Sequence, residues 1–172
     1  MDDLIQLLHE GKHSLVVANG EVCTFNGRGV IDLYHLLQDD PGFLYEASIA
    51  DKVVGKAAAA LLALANVKEV YADVISRPAL DLLSKTDIKI SYGVVAPHII
   101  NRTATGWCPL ETRCFDCATP EECFHQIEAF YRQINDFKFR KYSNNVIKKA
   151  KEFDNSMIIT ILMSPNKRYS TL

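Results

Sequence analysis

Residues Ser48 to Val67, SIADKVVGKAAAALLALANV, constrain this chain more than any other stretch, because almost everything after Val53 is apolar or small. Such a run describes a helix buried on most of its sides. Between Asp51 and Leu64 the only polar groups are Asp51, Lys52 and Lys56, gathered at the start with Gly55 beside them. Any chemistry of this helix is therefore expected at its N-terminal end.

A helix buried all round needs a domain to bury it, and 172 residues suit one domain with a tail. The expected boundaries are 1–134 for the domain, including a cysteine-rich loop over about 96–124, and 135–172 for the tail. From Met1 to Ile134 we count 11 basic and 18 acidic residues; the remainder holds 8 and 3. An acidic body with a basic tail and a net charge of −2 argues against general nucleic-acid binding. The acidic, amphipathic start MDDLIQLLHEGKH does not resemble a secretory signal, and no stretch has the length of a membrane span. Five cysteines without sign of export favour free thiols or metal ligands, so the expected location is the cytoplasm.

Leu4, Ile5, Leu7 and Leu8 share a helical face, which predicts a helix over 3–10 stopped at Gly11. SLVVANGEVCTF predicts two short strands joined at Asn19-Gly20, a dipeptide suited to a tight hairpin turn. VIDLYHLLQ then reads as an amphipathic helix ending in a DDPG turn, and FLYEASIA as an extended approach or short strand feeding the buried helix. After that helix, EVYADVI reads as strand, RPALDLLSK as a helix with Pro78 in its first turn, and DIKISYGVV as strand. Strands linked by helices favour a parallel arrangement, joined here to the antiparallel hairpin in one mixed sheet. From Ala96 the text loses its period and carries four of the five cysteines, as a long functional loop would. FHQIEAFYRQI resumes a helix, and the basic tail ends around one apolar run, SMIITILM.

This order resembles the cytidine-deaminase-like fold, a three-layer α/β/α architecture. More closely, SIADKVVGKAAAALL, EVYADVISRPAL and PHIINRTATGWCPLE look like an uncharacterised bacterial domain-of-unknown-function family assigned to that fold. The resemblance covers roughly residues 1–111. Deaminases of this fold hold a zinc-activated water with a His or Cys, a nearby catalytic Glu, and a Pro-Cys-x-x-Cys. Here the first helix reads VVGKAA and the second RPALDLL, so Pro78 remains while Ala79 and Leu82 cannot bind metal. The resemblance thus implies the fold without zinc-dependent deamination.

Lys52 and Lys56, four residues apart, would both stand at a helix N-terminus whose dipole disfavours positive charge by about 0.3–1 kcal/mol each. A phosphate or carboxylate bound by both lysines and the free N–H groups would explain that placement, with Gly55 allowing close approach. In the competing reading Asp51 caps the helix and the lysines are solvated. His98, Asn101, Arg102, Cys108 and Glu111 follow the last core strand, where ligands bind in open α/β sheets, and could complete the site or form an ordinary polar loop. Cys108 is the candidate nucleophile, given a lowered pKa. Cys108, Cys114, Cys117 and Cys123 have the spacing Cx5Cx2Cx5C, enough thiolates for tetrahedral zinc or an iron–sulfur cluster, although the knuckle spacing occurs once only.

Two functions follow. In the first the protein binds a small anionic or nucleotide-like ligand through Asp51, Lys52, Gly55, Lys56, His98, Asn101, Arg102 and Glu111. In the second the Cys108 to Cys123 loop makes a metal-stabilised or redox-sensing interaction module. Whether it is an enzyme stays open at this stage, and a homo-oligomer is compatible with either.

Overall fold

A computed structural model describes residues 1–135. The expectations for the basic tail and its SMIITILM run lie outside the described residues. The chain divides into two compact units, Met1–Ala129 and Phe130–Leu172. In the first, helix α1 (Asp2–Glu10) precedes the hairpin β1 (Leu15–Asn19) and β2 (Glu21–Phe25); α2 (Ile31–Asp39) and α3 (Pro41–Leu44) lead into β3 (Ser48–Val54). Helix α4 (Lys56–Leu64), β4 (Glu69–Ser76), α5 (Arg77–Leu83), β5 (Lys89–Ala96) and α6 (Pro109–Cys114) complete the set, and residues 120–129 are again helical. Residues 130–135, in the second unit, are helical too.

The five strands form one mixed sheet in the order β2-β1-β3-β4-β5, with helices flanking it in a three-layer α/β/α arrangement. β1 pairs antiparallel with both β2 and β3, and β3, β4 and β5 run parallel. The expected hairpin, turning at Gly20 with φ +76°, thus joins a βαβαβ run. Leu4 and Leu8 of α1 pack on Val16 and Ala50 of the sheet. Every residue of α4 from Lys56 to Leu62 is buried, as the alanine-rich text requires, and α4 is enclosed by α2, α5 and α6. Small side chains let these helices approach one another closely.

Three expectations need correction. The buried helix does not begin near Asp51: residues 48–54 are strand, because β3 is paired on both edges, with Leu15↔Asp51 on one side and Asp51↔Ala72 on the other. Cross-strand bonding along both edges outweighs the helical reading of ADKVVGKA. The helix starts at Lys56, after Gly55 in extended conformation as N-cap. The DDPG segment is more than a turn, since Pro41, pre-set for a first helical position, opens α3. The cysteine-rich segment likewise contains a helix, α6, again with a proline in its first turn.

Candidate functional site

Helix α4 presents its first N–H groups to the protein interior, where they require a partner. Gly55 has no side chain to offer. The acceptor comes from α6: Glu111 Oε2 accepts from the Lys56 backbone N–H at 2.8 Å. The arrangement requires glycine at position 55, because a Cβ there would lie 2.6 Å from Glu111 Oε2 and 3.1 Å from Ile99 Cγ1. Glu111 is only 2% exposed, and its other oxygen, Oε1, has no hydrogen-bond partner among the described residues. The Glu111 carboxyl thus occupies the helix end at which a bound anion was expected.

The Lys56 side chain turns the other way. Its Nζ donates to the carbonyls of Phe115 at 2.6 Å and Cys117 at 2.7 Å, tying the segment after α6 to the start of α4. Among the described residues no carboxylate comes within ion-pair distance of that ammonium. An ammonium has three hydrogens to donate, so one remains. Beside it lies a cavity of about 480 Å³ between α5 and the segment after α6, with Asp81, Leu82, Lys85, Thr86, Phe115 and Cys117 in its walls. That volume is of the size that small-molecule sites have.

Of the residues expected to act together, Gly55, Lys56 and Glu111 meet. Lys52 does not join them: it lies in β3, not on a shared helical face with Lys56. Asp51 neither caps α4 nor faces Lys56 as an ion-pair partner; its Oδ1 accepts from the Val53 N–H at 2.9 Å. Burial pushes the Asp51 carboxyl up from 3.8 to about 7, against the Val53 bond, with Asp73 and Asp32 adding like-charge repulsion. Between these two values the folded protein keeps a proton that the unfolded chain has lost. Stability from this group is accordingly full below about pH 4 and is lost as pH rises through about 7. Asp51→Asn, which retains an acceptor for Val53, is expected to be more stable than wild type at about pH 8 and to flatten the pH dependence. Urea midpoints that fall equally with pH in both proteins would contradict this.

His98 stacks on Trp107, with ring centroids 4.1 Å apart, and Asn101 Oδ1 accepts from Thr105 N and Thr103 Oγ1 inside a tight 101–106 turn. Arg102 is exposed on that turn. Cys108 is the N-cap of α6. Cys114 Sγ donates to the Cys123 carbonyl at 3.9 Å and Cys117 Sγ to the Arg113 carbonyl at 3.8 Å, whereas the α6 helix separates Cys108 from Cys114. Among the described residues no group of three or more His, Cys, Asp or Glu is arranged to hold a metal ion. Burial and the neighbouring Cys123 push the Cys117 thiol up to about 11, with Lys56 opposing, and the hydrogen bond with Cys114 and burial push Cys123 up as well. Thiols held protonated in this way are poor nucleophiles at neutral pH. Sequence reasoning passed over Trp107, Phe115 and Lys85. The one usable signal was a lone tryptophan in a polar loop.

Fold and site together define an α/β domain with a five-stranded mixed sheet and a cavity walled by a buried lysine. The chain belongs to the family described as a domain of unknown function, DUF1893, whose sequence model matches residues 3–131. It is similar to the crystal structure of a DUF1893 family protein from Thermotoga maritima, at 25% identity and a TM-score of 0.69, over 74% of this chain and 87% of that one. No curated protein matches the sequence. Among the described residues no helix is long and apolar enough to cross a membrane.

Proposed function

We propose that this protein binds a small anionic ligand in the cavity beside Lys56. The observation that carries the reading is the ammonium itself: Lys56 is 9% exposed, hydrogen-bonded to two carbonyl dipoles and unpaired with any described carboxylate. Burying an ammonium costs several kcal/mol even after relaxation, and dipoles offset this less completely than a negative charge does. An anion in the cavity accepts the remaining Nζ hydrogen, and the wall holds a second lysine, Lys85, so that two cations there outnumber the one carboxylate, Asp81. The free N–H groups of α4 have no part in this, since Glu111 is seated there. Zinc-dependent deamination is outside the proposal: Ala79 and Leu82, both buried, stand where the deaminase resemblance requires thiolates.

Inorganic phosphate, sugar phosphates and nucleotides are expected to raise the melting temperature. Stabilisation at a hundredfold excess over the dissociation constant is about 2.7 kcal/mol. Lys85→Ala should reduce the shift while leaving the Lys56 bonds intact, and the shift should survive moderate salt that removes loose screening. A wild-type protein indifferent to every compound of the panel sinks the reading.

A further inference from the structure

Aromatic rings left in water forgo the gain from burial, so a fixed and exposed cluster calls for a partner. Trp107 is 38% exposed and Phe115 45%, their rings edge to face at 5.1 Å, with His98 also stacked on the tryptophan. The cluster is held before any ligand arrives. An isolated bridge pairs Ile100 with Trp107, Cys108 N donates to Ile99 O at 2.8 Å, and Asn101 N donates to Gly106 O at 2.9 Å. Phe115 joins this cluster to the cation, because it also lines the cavity while its own carbonyl accepts from Lys56 Nζ. Charge and ring are thus fixed relative to each other through one residue.

We infer that the ligand of this cavity carries an aromatic heterocycle as well as its anion, as a nucleoside monophosphate does. The phosphate lies toward Lys56 and Lys85, and the base packs on Phe115 at the edge of the Trp107 stack. This rests on the anion reading above and adds the base to it. A planar base is the fitting occupant because every base has a π-face and stacking tolerates its identity, which asks of the protein only the exposed rings seen here.

Trp107 is the sole tryptophan of the chain, so its emission reports on this one place. Full-length protein is titrated with inorganic phosphate, ribose 5-phosphate, and adenosine and uridine monophosphates. The nucleotides are expected to change Trp107 emission and to bind about ten- to a hundredfold more tightly than ribose 5-phosphate, the range that base stacking supplies. Phe115→Ala, which keeps the backbone carbonyl that Lys56 needs, should lower nucleotide affinity about ten- to a hundredfold and ribose 5-phosphate affinity by clearly less. Lys85→Ala should weaken both. Equal affinity of nucleotides and ribose 5-phosphate for the wild type overturns the aromatic assignment and leaves the anion site standing, and that comparison needs no variant. Binding of none of the four compounds overturns both.

Discussion

Lys56→Met is expected to unfold about 2–3 kcal/mol more easily than wild type, with an unchanged slope against urea. Three terms set the sign. The variant loses two charge-assisted bonds and leaves the Phe115 and Cys117 carbonyls without their donor, at about 1–3 kcal/mol for each group left unsatisfied. Against this, removing a cation from the positive end of α4 returns about 0.3–1 kcal/mol. The methionine also avoids desolvating an ammonium, but water reaching the part-buried carbonyls recovers only some of the loss, so the bond term wins. A midpoint equal to or above that of wild type would show that the carbonyls are indifferent to the ammonium, and the case for a fixed cation in the cavity wall would go with it.

Gly55→Ala is the second change expected to matter, by about 2 kcal/mol, although the new side chain is a single methyl group. The backbone does not object, since Gly55 has φ −90° and ψ 176°, which any residue adopts. Replacing glycine even helps by about 0.4–1 kcal/mol through the unfolded chain. The cost lies in space: the added Cβ would be 2.6 Å from Glu111 Oε2, and Ile99 at 3.1 Å blocks the other way out. Glu111 must then move off the Lys56 N–H, leaving a buried carboxylate and the start of α4 without each other. Because both effects pass through one contact, Gly55→Ala combined with Glu111→Ala should cost clearly less than the sum of the single changes. Strict additivity would mean that the two residues do not communicate.

Both predictions depend on contacts that local sequence pattern does not encode, although some of the participants were visible. Glu111 was legible as a residue of the site, from its place after the last parallel strand. Its role as the cap of α4 was not, because the bond spans 55 positions and depends on how α6 is set down. The two partners of Lys56 Nζ are backbone carbonyls, which every residue possesses and which no side-chain pattern can announce. The pairing of Phe115 with Trp107 was illegible for a related reason: exposed rings matter through their juxtaposition, and the chain between them has no period to fix it.

The sequence by itself determined the elements whose signals are local. The Asn19-Gly20 turn, the amphipathic α1, the proline-opened α5 and the β-branched strands β4 and β5 each depend on neighbours within a few positions, and each formed as expected. It also determined that α4 is buried, since an alanine- and leucine-rich run has no polar face to give to water. The tertiary structure alone decided where α4 begins. Asp51 suits a helix start in isolation, yet β1 pairs with β3 as far as Asp51 and β4 pairs with it as far as Val54, and that bonding holds the chain extended up to there. Two lysines that would have shared one helical face are thereby parted, and Lys56 alone is left at the cavity wall, because strand pairing is a contact between distant segments that overrides what either segment prefers alone.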